Sequence, residues 1–126
     1  MLRLYEADGE TYLGDINMGV IGPGESYHAK NGAYKQVVVK NDGEYTLVDC
    51  EIGFTQVGGT MAFQWVLVAV GEEAPGPFQG YAQGPLSIGT LAPDATARLW
   101  LNANVPLYAE PNVPVAFGLH AKGSEA

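Results

Sequence analysis

The residues able to do chemistry are few and scattered. There are two histidines, His28 and His120, and one cysteine, Cys50. A metal site needs convergent His, Cys or carboxylate ligands at tight spacing. Neither histidine has a second His or Cys near it in sequence, so both read as surface or partner-contact residues. Cys50 falls on an inward-facing position between Val48 and Ile52, flanked by Asp49 and Glu51. A reactive thiol wants an electropositive, accessible setting; this one reads as a small buried apolar residue. Gly24-Glu25-Ser26-Tyr27-His28 begins like a nucleophile elbow but lacks its closing glycine, and Ser87 follows Pro85-Leu86. No glycine-rich loop ends in Lys-Ser/Thr, so no phosphate cradle is encoded. Asp8-Gly9-Glu10 and Asp42-Gly43-Glu44 lack the alternating acids of a calcium loop. The expectation is a non-enzymatic chain with no cofactor, no metal and no small-molecule substrate.

Aromatic residues are the more informative group. Alternation along Thr96–Val105 puts Leu99, Leu101, Ala103 and Val105 on one face and Arg98, Trp100, Asn102 and Asn104 on the other. An outward Trp beside Arg is a composition favoured at interfaces. It is equally consistent with cover from within the chain, by the 71–85 loop or the N-terminal segment. Phe78, Tyr81 and Tyr108 lie in loop stretches and extend the same candidate surface. The expected protein-interaction residues are therefore Arg98, Trp100, Asn102, Phe78, Tyr81 and Tyr108.

The elements that must position them are short strands. The chain has 126 residues, one domain's worth, and 47% are hydrophobic, too many for disorder. Its 17 glycines and 8 prolines punctuate apolar runs, the pattern of an all-β fold. Leu2–Glu6 and Thr11–Ile21 read as two strands forming a hairpin around Ala7–Glu10, and residues 25–32 are left unassigned. Lys35–Lys40 is a strand ending in Asn41-Asp42-Gly43, a turn signal. Thr46–Phe54 alternates with Val48, Cys50, Ile52 and Phe54 inward, then Gly58-Gly59 turns the chain. Met61–Val70 is apolar on both faces and reads as a central strand. The 71–85 stretch, rich in Gly, Pro and aromatics, is a long loop of functional type. Leu86–Leu91 and Val113–Lys122 complete the set, Pro114 placing the start of the last strand at an edge. Residues 123–126 are expected to fray.

One internal echo stands out. Gly19-Val20-Ile21-Gly22-Pro23-Gly24 parallels Gly89-Thr90-Leu91-Ala92-Pro93-Asp94. Both read as a turn that carries the chain between sheets, with Pro fixing φ and Gly or Asp taking the awkward position.

The runs Val37-Val38-Val39-Lys40-Asn41-Asp42-Gly43, Leu47-Val48-Asp49-Cys50-Glu51-Ile52, Ile88-Gly89-Thr90-Leu91-Ala92-Pro93, and Leu99-Trp100-Leu101 on to Val105-Pro106 carry a family likeness. Together they resemble the immunoglobulin-like accessory domains of bacterial surface proteins and bacteriophage virion proteins. The likeness spans Lys35 to Lys122; Asp94 stands where the pattern has glycine. It implies an immunoglobulin-like antiparallel β-sandwich over 35–122 with a strand-rich N-terminal extension over 1–34. It further implies a structural virion protein, a capsid decoration protein that binds a phage shell as a homo-oligomer such as a trimer. The alternatives are a tail or baseplate accessory domain, or a carbohydrate-binding or adhesion module stacking sugars on exposed aromatics.

Charge and termini set the remaining expectations. The net charge is −8, which repels phosphate backbones and anionic membranes, so no nucleic-acid and no membrane partner is expected. A single cysteine permits no intrachain disulfide, and Met1-Leu2-Arg3-Leu4-Tyr5-Glu6 lacks the apolar stretch of a signal peptide. The expected setting is a host cytoplasm, followed by the virion.

Overall fold

The computed structural model describes residues 1–58 and 61–126; the expected Gly58-Gly59 turn falls partly outside them. Nine strands are described: β1 (Leu2–Glu6), β2 (Ile16–Val20), β3 (Lys35–Asn41), β4 (Leu47–Thr55), β5 (Val66–Val70), β6 (Gln79–Gly80), β7 (Leu86–Leu91), β8 (Thr96–Ala103) and β9 (Pro114–Glu125). One short helix, α1 (Tyr27–Asn31), lies between β2 and β3. No helix among the described residues is long and apolar enough to cross a membrane.

The strands form two packed antiparallel sheets, ordered β1-β3-β8-β5-β6 and β2-β9-β4-β7, which bears out the all-β sandwich. Period-two alternation drives it. On β8, Ala97, Leu99, Leu101 and Ala103 are buried, and they meet Val37 and Val39 of β3 and Val66 and Val68 of β5 in one core. Ile52, Val115 and Phe117 supply the facing layer from the second sheet.

The strand order has a simple logic. β2 pairs β9, β3 pairs β8, β4 pairs β7 and β5 pairs β6. These nested pairs describe one long antiparallel ribbon bent back on itself. Rolling that ribbon joins β9 to β4 and β8 to β5. The result is the two-Greek-key wrapping of a jelly roll, with β1 added beside β3. An immunoglobulin domain instead sets its first, second, fifth and fourth strands against the third, sixth and seventh. The immunoglobulin-like detail therefore gives way to a jelly-roll order.

Several local expectations are corrected. Residues 1–34 are no appendage, because β1 edges the first sheet, β2 edges the second, and Ile16, Met18 and Ile21 are core residues. β1 and β2 share no ladder; a single Tyr5–Tyr12 bridge links β1 to the chain that follows it. The polar 25–32 stretch holds α1, capped by the Ser26 hydroxyl, which accepts from the Ala29 amide at 3.1 Å, and ended by left-handed Gly32. On β4, Asp49 has φ 53 and the pairing with β9 gains one residue between Val48 and Glu51. That β-bulge resets the alternation: Leu47 and Cys50 are buried and Val48 only half so. Ala62–Trp65 is a 3₁₀ turn, and only Val66–Val70 is strand. The 71–85 loop contains β6 and a second 3₁₀ turn, Tyr81–Gln83. The terminal residues do not fray: β9 runs to Glu125, paired with Leu47.

The internal echo is structural. Glu25 donates its amide to the Gly22 carbonyl and Ala95 to the Ala92 carbonyl, each at 3.0 Å. Gly24 and Asp94 hold φ 79 and φ 66, so both are type II turns. They leave β2 and β7, the two edges of the second sheet, and carry the chain to β3 and β8 of the first. Asp94 is the residue that departs from glycine at a position where φ is positive, and left-handed backbone costs an L-residue on the order of 1 kcal/mol. Asp94→Gly should leave stability unchanged or raise it by up to about 1 kcal/mol, and Asp94→Val should lower it. Urea unfolding measures both; a Val variant as stable as the wild type would contradict this account.

Asn41 closes the ribbon at the far end of β3. It is the one fully buried polar residue among those described. Its amide nitrogen donates to the Tyr45 carbonyl at 2.8 Å and the Leu91 carbonyl at 2.9 Å; its oxygen accepts from the Gly43 amide at 3.1 Å and the N-terminal ammonium at 3.4 Å. Truncation strands the buried Leu91 carbonyl, at about 1–3 kcal/mol, and frees the part-buried contacts to Tyr45, Gly43 and the N-terminus. Asn41→Ala should therefore cost about 3 kcal/mol or more in urea unfolding; a loss below about 1 kcal/mol would show that the network is not holding the sheets.

Candidate interaction surface

The outward face of β8 is built as alternation predicts, but its polar groups are committed within the chain. An Arg98 guanidinium nitrogen donates to the Gln36 side-chain oxygen at 3.0 Å on the adjacent β3. The Trp100 indole N–H donates to the Gly71 carbonyl at 2.8 Å. The Asn102 side-chain oxygen accepts from the His28 amide at 2.9 Å, which fastens the first turn of α1 to the sheet. Trp100 is left half-buried, so part of its cover comes from its own chain, through the loop beginning at Gly71.

An aromatic row follows. The His28 ring lies 4.1 Å from that of Tyr34, and Tyr34 lies 5.0 Å from Phe78. Phe78 is itself half-buried. Asn102 thus fastens α1 and Trp100 the start of the 71–78 loop to the sheet, Phe78 meets Tyr34, and Arg98 is paired within the sheet.

Tyr81 and Tyr108 belong to a different region. Because the ladders are antiparallel and β2, β4, β6 and β8 alternate with their partners, the loops that leave these four strands share one end of the sandwich. These loops are residues 21–34, 56–65, 81–85 and 104–113. Four exposed large apolar side chains lie here, Met61 at 47%, Tyr81 at 47%, Leu107 at 84% and Tyr108 at 85%; Met1 and Tyr45, at 66% and 64%, lie at the other end. Leu107 packs beside Gly24 on the β2 flank, where a Cβ on Gly24 would collide with it.

On the β7 flank the same end holds a cleft of about 130 Å³ lined by Gly53, Phe54, Tyr81, Gly84, Pro85 and His120. Its walls are preorganised. Tyr81 is held edge-on by Phe63, with centroids 4.8 Å apart at 85°. His120 lies over its cross-strand partner Gly53, where any Cβ would clash with the imidazole. Phe54 is braced edge-on by Phe117. The lining carries no charged side chain, so a neutral, ring-sized group is what it would accept.

The remaining chemistry-bearing groups are committed to local structure. Cys50 is fully buried, and burial raises its thiol pKa above the usual range. Three amide and hydroxyl hydrogen bonds from Thr11 and Glu10 lower the Asp8 carboxyl pKa, which marks a turn and not a site. Among the described residues no three metal-ligating side chains gather. Arg3, Lys35 and Lys122 pair with Asp42, Glu6 and Glu51, and Lys30 reaches the Val20 carbonyl.

Sequence reasoning missed Leu107, Met61 and the His120–Gly53 stack. A signal existed for the first: Leu107-Tyr108 is an apolar pair in a loop bracketed by Pro106 and Pro111. Comparison with family models, with curated proteins and with solved structures found no match to this chain.

Asn102→Ala should release α1 without unfolding the sandwich. Amide hydrogen exchange over residues 27–31 is expected to quicken by about an order of magnitude, since one net hydrogen bond is worth about 1 kcal/mol. Unchanged exchange there would remove Asn102 from this role.

Proposed function

We propose that this chain is a non-enzymatic structural virion protein, a capsid decoration protein that binds a phage shell as a homo-oligomer. The observation that carries the reading is the adjacent pair Leu107 and Tyr108, 84% and 85% exposed on the loop after β8. An exposed apolar pair on a surface of net charge −8 is a composition favoured at protein–protein contacts. The jelly-roll order adds support by analogy, because viral capsid domains are built on it. In this reading β8 and its outward residues brace the scaffold, and the loops leaving β2, β4, β6 and β8 face the lattice.

A carbohydrate-binding module is the second reading, favoured by the aromatic-walled cleft at Tyr81 and by the use of jelly rolls as lectin domains. Its site would be Tyr81, since the indole N–H of Trp100 is already bonded to Gly71.

The two readings part in one experiment. The purified protein is mixed with phage heads stripped of auxiliary proteins and sedimented, and in parallel applied to a glycan array. Saturable co-sedimentation that falls at least about tenfold in affinity for Leu107→Ser supports the decoration reading. Binding to a glycan, lost with Tyr81→Ala and without head binding, would replace it.

A further inference from the structure

Asn31 and Gly32 carry a chemistry that the reading above does not use. Of Asn17, Asn31, Asn41, Asn102, Asn104 and Asn112, only Asn31 precedes a glycine. An asparagine side chain is open to attack by the backbone nitrogen of the residue that follows, and glycine hinders that attack least because it has no Cβ. Both residues are exposed, and a Cβ built on Gly32 would meet nothing within 4 Å. The space in which a ring must close is therefore free.

We propose that Asn31 is a modification site, converted spontaneously to aspartate and isoaspartate through a cyclic imide, and that α1 controls the rate. The inference is independent of what the chain binds. The Gly32 nitrogen bonds to the side-chain carbonyl carbon of Asn31, and the bond from that carbon to Nδ2 breaks. The carboxamide nitrogen leaves as ammonia, taking up the proton that the Gly32 amide gives up. Solvent water then opens the ring. Cleavage at the side-chain carbonyl gives aspartate; cleavage at the backbone carbonyl gives isoaspartate. One water enters, one ammonia leaves, and nothing is oxidised or reduced.

In the folded helix both reacting groups are occupied. The Gly32 amide donates to the His28 carbonyl at 2.8 Å. The Asn31 carboxamide donates to the Tyr27 carbonyl at 2.9 Å. Attack has to wait until the last turn of α1 opens. α1 has five residues, none of them buried, and so short a helix does not hold itself together. Its first turn is held by the Ser26 cap and by the Asn102 side chain on β8. Asn102 thus guards a residue it does not touch.

Two Asp-Gly pairs offer the same route and are better protected. The Thr11 amide and hydroxyl and the Glu10 amide stabilise the Asp8 carboxylate, and an ionised carboxylate is a poorer target than a carboxamide. Asp42 pairs with Arg3, and the Gly43 amide is bonded to the Asn41 side-chain oxygen.

The product does not rebuild the helix. Aspartate lacks the Nδ2 donor and sets a negative charge at the carbonyl end of α1, where the helix dipole opposes it. Isoaspartate adds a backbone carbon ahead of Gly32 and displaces the capping amide. Conversion therefore loosens α1 from β8.

Peptide mapping by mass spectrometry tests this on the purified protein held in mildly alkaline buffer at physiological temperature. Asn31 is expected to convert before any other asparagine, with isoaspartate at residue 31. In Asn102→Ala, conversion should quicken by the same factor as amide exchange over residues 27–31, about an order of magnitude. If that variant fails to fold by circular dichroism, Ser26→Ala, which removes the cap, takes its place, with a rise of about fivefold. The wild type unfolded in guanidinium chloride gives the unguarded rate, which should exceed the native one by at least about tenfold. No conversion of Asn31 in the native protein, another asparagine converting first, a native rate equal to the unfolded one, or a released α1 that leaves the Asn31 rate unchanged overturns the proposal.

Discussion

The rolled ribbon depends on Asn41. Its side chain is fully buried, yet its amide and oxygen reach the turn after β3, the last residue of β7 and the N-terminus. Its backbone adds two bonds, donating to the Ala95 carbonyl at 3.0 Å and accepting from the Asp94 amide at 2.8 Å. A buried amide without partners costs roughly 2–7 kcal/mol, so the site tolerates one arrangement of the surrounding chain. Sandwich cores packed from Val and Leu tolerate exchange among apolar residues of similar volume. A polar group that must be satisfied from both sheets tolerates no such exchange, and here it fixes where the turn out of β3 meets the turn out of β7.

That constraint also gives the molecule two unlike ends. At the Asn41 end, turns are locked by hydrogen bonds and by the Arg3–Asp42 ion pair. At the other, the loops leaving β2, β4 and β8 are tied to one another by backbone bonds, the Gly24 amide to the Val105 carbonyl at 2.8 Å and the Val105 amide to the Glu25 carbonyl and the Asn104 amide to the Trp65 carbonyl at 3.0 Å each, and leave Leu107 and Tyr108 projecting.

How much of this the sequence displayed follows from which forces act locally. β8 was legible because it has a wetter face and a dry face, and alternation records that directly; on β3 the dry face of Val37 and Val39 is backed by Val38, buried on the other side. β4 was legible except at Asp49, since one inserted residue leaves the composition of a strand unchanged and shows only in the pairing. α1 has five residues, too few for a helical period; its only marks are Ser26 at the start and Gly32 after the end. Ala62–Trp65 read as strand because it is apolar. It is buried by closing the loop end, not by joining a ladder, since Ala62 and Phe63 pack into the core from a 3₁₀ turn. The order of the strands was not legible at all. Turn motifs fix how the chain leaves a strand, and the same type II turns serve an immunoglobulin order or a jelly roll.

The candidate site divides along the same line. Trp100 drew attention as an outward aromatic, and the inference was sound as far as β8 itself goes. Its acceptor, Gly71, lies 29 residues away, and no local pattern announces such a contact. Once the indole N–H and the Asn102 oxygen are spent inside the chain, the face they define is a brace. Tyr81 and Tyr108, chosen for lying in loops, end up at the loop end, Tyr81 held against Phe63 and Tyr108 left 85% exposed. An aromatic on a strand is usually explained by the sheet that carries it; Tyr108, on a proline-bracketed loop, has no such sheet behind it, and only its exposure singles it out.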